Sequence, residues 1–205
     1  MRIFMAATVA LLTLFASSAH SASKTILVVG DSLSAEYGLV RGTGWVSLLE
    51  NRLKTKNIDA IVINASISGE TTSGGKSRFD TLLKKNRPTV VVIELGGNDG
   101  LRGLPIKASE NNLRSMINAA KKVQAKVLLV GMQIPPNYGR NYTDQFSALY
   151  PKLAKETKSA LVPFLLTGVA DKPDMFQSDR IHPGAQAHPV MLDNVWPHLK
   201  PLLIK

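Results

Sequence analysis

Ile26-Leu27-Val28-Val29-Gly30-Asp31-Ser32-Leu33-Ser34 reads as a buried strand running into a turn. Four consecutive apolar residues suit a strand covered on both faces, and Gly30-Asp31 breaks it so that Ser32 stands at its carboxyl edge. Open parallel sheets keep their chemistry at that edge. A serine there becomes a nucleophile if a base reaches its hydroxyl and donors await an oxyanion. Taken singly, Asp31-Ser32 is equally an ordinary helix cap, so the reading depends on what the rest of the chain brings to the same edge.

Downstream, strands alternate with helices. Trp45, Leu48, Leu49 and Leu53 recur at helical spacing and predict a helix from Thr43 to about Lys56. A strand follows over Asp59 to Asn64, then a helix from Gly74 to Lys85 that Arg87-Pro88 ends. Thr89 to Leu95 is the most strand-like run and meets Gly96-Gly97-Asn98-Asp99-Gly100. Ser109 is read as the cap of a helix with Leu113, Met116, Ile117, Ala120 and Val123 on one stripe. Ala125 to Gly131 and Ala160 to Phe164 complete five strands. Between them Met132 to Arg140 is a proline-bearing loop and Asn141 to Ser159 a helix that Pro151 should kink or restart. A last helix runs from Gly184 to the C-terminus, with a break expected at Pro197. This alternation predicts one doubly wound α/β domain with a parallel five-stranded sheet over residues 23–205. Right-handed crossovers then gather Ser32, Gly69, Asn98 and the loop after the fifth strand at one edge.

Residues 1–22 read as a secretory signal peptide: a basic Met1-Arg2 start, an apolar run from Ile3 to Ala16, and small residues from Ser17 to Ala22. The protein is therefore expected in the periplasm or outside the cell. With no cysteine, export brings no disulfide framework, and thiol chemistry and cysteine-bound metal are excluded. The net charge of +10 favours transient contact with anionic membrane surfaces. Its lysines and arginines are scattered, with no run and no aromatic interleaving, so no nucleic-acid partner is implied.

Four histidines could act as the base. His20 lies in the leader, His198 near the tail, and His188 in Gln186-Ala187-His188-Pro189 reads as structural. His182, in Asp179-Arg180-Ile181-His182-Pro183, falls at the correct edge, and Asp179 is near enough to hold its Nδ1 proton. The N–H groups of Ser32 and Gly69 and the Asn98 carboxamide are the oxyanion donors available there. Gly69 to Ser77 also looks like a phosphate-cradling loop, but Glu70 occupies the position that motif requires to be glycine.

These motifs, in this order, resemble the SGNH (GDSL) hydrolase family: Gly30-Asp31-Ser32-Leu33-Ser34, Gly69 within Asn64-Ala65-Ser66-Ile67-Ser68-Gly69-Glu70-Thr71, Gly96-Gly97-Asn98-Asp99-Gly100, and Asp179-x-x-His182-Pro183. The resemblance implies a flavodoxin-like three-layer α/β/α sandwich, Ser32, Asp179 and His182 as a triad, and Ser32, Gly69 and Asn98 as the oxyanion hole. It implies an esterase, thioesterase or lysophospholipase that needs no cofactor or metal and acts as a monomer on small acyl substrates. The loops Gly100 to Pro105 and Met132 to Arg140 would line an acyl groove, with Leu101, Leu104, Ile134, Pro135 and Tyr138 as candidate substrate contacts. The pair Ile134-Pro135, followed by Pro136, replaces the family's leucine-proline. A carbohydrate O-deacetylase or a non-catalytic acyl-lipid-binding protein could use the same parts.

Overall fold

The computed structural model describes residues 23–204; the proposed signal peptide lies outside them. Five strands, β1 (Lys24–Gly30), β2 (Ala60–Asn64), β3 (Val90–Glu94), β4 (Lys126–Val130) and β5 (Ala160–Val162), form one sheet in the order β2-β1-β3-β4-β5. Every pairing is parallel. Among the described residues six α-helices complete the α/β fold: α1 (Trp45–Thr55), α2 (Thr72–Asn86), α3 (Gly97–Leu101), α4 (Ile106–Lys122), α5 (Arg140–Thr157) and α6 (His188–Ile204). Helices α1 and α6 pack together on one face, and α2, α4 and α5 cover the other. Among the described residues no helix is long and apolar enough to cross a membrane.

Burial explains the layers. Ile26 to Val29 and Val90 to Ile93 are fully buried, as expected of strands sandwiched between helices. Trp45, Leu49 and Leu53 from α1 and Leu113, Met116 and Ile117 from α4 are the buried stripes that close over them. The chain passes from β1 outward to β2 and returns past β1 to β3. The strand order therefore reverses between β1 and β3, and the crevice at their carboxyl ends is where such sheets bind ligands. Ser32 follows β1 and Asn98 follows β3.

Several local expectations fail for definable reasons. Helix α4 begins after Pro105, one turn earlier than expected; Ser109 is buried inside it and donates to Asp99 Oδ1 at 3.0 Å. A tertiary acceptor has taken the hydroxyl that local sequence would assign to capping. Val123 terminates α4 and is half exposed. Helices α5 and α6 run unbroken through Pro151, Pro197 and Pro201. All three prolines face solvent, so the carbonyls deprived of an N–H lie on the wet side, where water can replace the missing bond. Asn98 lies in the short helix α3, not in a loop.

Candidate active site

Gly30 pairs with Glu94 across β1 and β3. A side chain at Gly30 would stand 2.7 Å from both Glu94 Oε2 and Ser34 Oγ, so only glycine lets the chain turn here. Asp31 is 2% exposed. Its Oδ1 accepts the Leu33 N–H at 3.0 Å, and its Oδ2 accepts from Asn98 Nδ2 at 3.1 Å. No helix follows for Asp31-Ser32 to cap; Asp31 instead closes a local turn, while the Ser32 hydroxyl is left for a distant partner.

That partner is His182. Its Nε2 lies 3.0 Å from Ser32 Oγ, and its Nδ1 lies 2.6 Å from Asp179 Oδ2. The other carboxylate oxygen of Asp179 accepts the N–H groups of Ile181 (2.9 Å) and His182 (3.0 Å), with Arg180 in the left-handed region at φ 57°. Asp179 therefore shapes the turn as well as the imidazole. The backbone N–H of His182, then its ring, then the Ile181 N–H hold the Asp179 carboxyl down to about 2. An ionised Asp179 keeps the proton on Nδ1 and leaves Nε2 as an acceptor facing Ser32.

The β5–α6 loop is anchored to the β1–α1 loop: Gln177 Nε2 donates to Tyr37 O at 2.8 Å and to Pro183 O at 3.1 Å. The Tyr37 ring then rests on the imidazole, with centroids 4.3 Å apart and planes inclined at 39°. Sequence reading missed Tyr37, because nothing in its spacing links it to a histidine so far along the chain. His188 is 2% exposed and its Nδ1 accepts the Trp45 N–H at 3.0 Å, as a structural histidine should. His198 is half-buried in α6.

The candidate oxyanion donors arrive from two loops and from helix α3. Gly69 has φ +78°, a conformation that favours glycine, and its carbonyl accepts from Arg102 Nη2 at 3.0 Å. Among the described residues the N–H groups of Ser32 and Gly69 have no acceptor. Asn98 differs: its Nδ2 donates to Asp31 Oδ2 and to Glu70 O, each at 3.1 Å. An incoming oxyanion would compete for those hydrogens. Asn98 is positioned by its neighbour, for buried Asp99 accepts from Thr72 N (2.8 Å), Thr72 Oγ1 (2.5 Å) and Ser109 Oγ (3.0 Å), tying α3 to α2 and α4.

Behind this layer sits Glu94, fully buried. Its Oε2 accepts from Ser34 Oγ at 2.7 Å and from the Asp31 N–H at 3.3 Å; its Oε1 has no partner among the described residues. Burial, and then the charge of Asp31, push the Glu94 carboxyl well above its ordinary value. Burial raises Asp31 to about 6 against the Leu33 N–H and the Asn98 carboxamide. Glu94 thus braces the residues on either side of Ser32 through a carboxyl whose burial disfavours the anion. Its place at the end of a strand was legible in sequence, but its pairing opposite Gly30 needed the register.

Of the candidate substrate contacts, Leu104 and Tyr138 are exposed at 37% and 38%, Pro135 is exposed and Leu101 half-buried. Tyr138 Oη donates to Leu101 O at 2.9 Å and Tyr142 Oη to Leu104 O at 2.8 Å, which joins the two loops expected to form a groove. Ile134 is buried and packed where Gly100 has no side chain.

Comparison with known proteins gives the family. Residues 28–190 match the GDSL-like Lipase/Acylhydrolase family. The chain is 52% identical over 184 residues to Esterase TesA of Pseudomonas aeruginosa, covering 90% of this chain and 92% of that one. It is 43% identical over 183 residues to Thioesterase 1/protease 1/lysophospholipase L1 of Escherichia coli K12, covering 89% and 86%. The crystal structure of the psychrotrophic esterase EstA from Pseudoalteromonas sp., inhibited by monoethylphosphonate, superposes with a TM-score of 0.84 at 40% identity, covering 89% of this chain and 100% of that one. The chain therefore belongs to the GDSL-like lipase/acylhydrolase family and is an ester-cleaving hydrolase of that family.

Proposed function

We propose that the chain hydrolyses aryl esters, acyl-CoA-type thioesters and lysophospholipids through an acyl-enzyme formed on Ser32. The observation that carries this reading is the continuous relay from Asp179 Oδ2 to His182 Nδ1 (2.6 Å) and from His182 Nε2 to Ser32 Oγ (3.0 Å). His182 accepts the Ser32 proton as Oγ attacks the acyl carbon, and Asp179 stabilises the imidazolium. The negative oxygen of the tetrahedral intermediate is held by the N–H groups of Ser32 and Gly69 and by Asn98 Nδ2. His182 then protonates the departing alcohol or thiol. Water enters, gives a proton to His182 and attacks the acyl carbon; the second tetrahedral intermediate collapses to acid as His182 passes that proton to the departing Ser32 Oγ. Exposed Leu104 and Tyr138 beside the site favour an acyl chain over the sugar of an O-deacetylase substrate.

Residues 1–22 would direct export, so that the enzyme meets its substrates in the periplasm or beyond. The test is a series of p-nitrophenyl esters run beside lysophosphatidylcholine and acyl-CoA on one preparation, with covalent labelling by an alkyl phosphonate. Labelling at Ser32 and turnover that falls with Ser32→Ala are expected. Near-normal turnover by Ser32→Ala would remove Ser32 from the mechanism.

A further inference from the structure

Nine large apolar side chains stand exposed among the described residues, and their distribution is uneven. Ile61, Val123 and Ile204 are dispersed on the edge strand and two helix ends. The other six, Tyr37, Val40, Ile67, Leu104, Tyr138 and Ile181, all lie on loops leaving the carboxyl ends of the strands, around Ser32 and His182. Hydrogen bonds stitch these loops into one rim: Gln177 to Tyr37, Asn98 to Asp31, Arg102 to Gly69 and Tyr138 to Leu101. Apolar exposure concentrated on one face marks an interaction surface.

The charges on that rim are selective. Val40 is followed by Arg41, and Ile181 is preceded by Arg180; all four residues are exposed. Neither guanidinium has an acceptor among the described residues. The carboxylates on the same loops are mostly engaged within the fold. Glu36 accepts from Gly42 N, Gly44 N and Ser47 Oγ, Glu70 pairs with Arg78, Asp179 with His182, and Asp31 and Asp99 are buried. On those loops only Asp171 and Asp174, earlier in the β5–α6 loop than Arg180, remain exposed without such a bond. Glu36 also braces the tip that carries Val40, which is 78% exposed, and Thr43 N and Oγ1 both donate to Val40 O. The apolar tip is therefore held out in one conformation, and little ordering is needed on contact.

We propose that this rim seats on an anionic phospholipid surface, with Val40 and Ile181 entering the interface, Arg41 and Arg180 holding headgroup phosphates, and the Ser32 site facing the lipid. An apolar side chain next to a phosphate-pairing cation suits the boundary between acyl chains and headgroups. The net charge, +10 for the whole chain and +9 once Arg2 leaves with the proposed signal peptide, supplies the longer-range attraction. The inference rests on the ester hydrolase reading only for the benefit of the orientation, namely delivery of lysophospholipid from the surface to Ser32.

The decisive measurement is co-sedimentation of Ser32→Ala protein with phosphatidylcholine vesicles, with and without phosphatidylglycerol. Ser32→Ala should partition onto the anionic vesicles and little onto the neutral ones. Adding Val40→Asp and Arg41→Ser should lower that partition at least about fivefold, the effect of about one interfacial cation. Lys122→Ser, at the far end of α4, should leave it unchanged. In the Ser32-containing protein the double variant should keep its turnover of p-nitrophenyl acetate in solution and slow on lysophospholipid carried in anionic vesicles. Absence of binding, or equal losses for the Lys122 variant and the rim variant, would overturn the proposal. So would light scattering showing a dimer that the rim variant dissociates, because the face would then bind a second copy. Failure of the hydrolase reading would appear instead as undiminished turnover by Ser32→Ala, with vesicle binding unaffected.

Discussion

The ring of Tyr37 lies 4.3 Å from the imidazole of His182 and is inclined to it by 39°. The contact joins the loop after the first strand to the loop after the fifth, and it rests on the ring that must stay aimed at Ser32. Tyr37→Ala should lower kcat roughly twofold to tenfold with little change in KM, since an aromatic contact of this kind contributes about 0.5–1.5 kcal/mol. Tyr37→Phe should restore the rate. Steady-state kinetics on one soluble ester distinguish this outcome from a general loss of fold, which would lower the active fraction and not be rescued selectively.

Asp179 should act as an anion throughout the working range of the enzyme. Its carboxyl is held near 2, below the ordinary 3.8, by the N–H groups of His182 and Ile181 and by the imidazole. A depressed carboxylate contributes stability that is present above its unfolded pKa and lost as pH falls through the folded one. Wild type should therefore lose melting temperature relative to Asp179→Asn as pH drops from about 4 towards 2. At neutral pH Asp179→Asn should reduce kcat on the order of 10²- to 10⁴-fold, through the wrong imidazole tautomer. A pH series of melting curves and of initial rates checks both parts.

Glu94 should behave as a neutral acceptor. Glu94→Gln keeps an oxygen for Ser34 Oγ and the Asp31 N–H, and should fold and turn over ester at a rate within a few fold of wild type. Glu94→Ala leaves those buried donors unpaired and should cost about 1–3 kcal/mol in urea unfolding, plus whatever the cavity adds. Asp31 contributes a pH slope of the opposite sign to that of Asp179. Its folded value is raised to about 6, so its contribution is greatest below its unfolded value and is lost as pH rises through 6.

Gly96 should not accept a side chain. It has φ +117°, and an added Cβ would collide with the hydroxyl of Tyr150, which donates to Leu95 O at 3.1 Å. Gly96→Ala should destabilise the protein by about 1–3 kcal/mol by overpacking, before any backbone strain. Because Gly96 leads directly into the helix that carries Asn98, ester turnover should also fall. Denaturant melts and kinetics on the same preparation separate the two effects.

The alternation of strands and helices and the identity of the chemical groups are legible in the order of residues alone. Apolar runs of strand length ending at glycine are local facts, and so is an aspartate three residues before a histidine; neither needs distant contacts to be recognised. Whatever depends on register, or on which face of a helix meets water, is set only when the chain packs. The pairing of Gly30 with Glu94 makes a buried carboxyl the brace of the nucleophile turn. Packing takes Ser109 away from a capping role, turns Ile134 inward, and lets α5 continue through Pro151 because its orphaned carbonyl faces solvent. It also brings Tyr37 against His182. Each of these is set by long-range proximity, and the spacing of residues along a chain carries no record of the distance between two loops that meet only when the sheet closes.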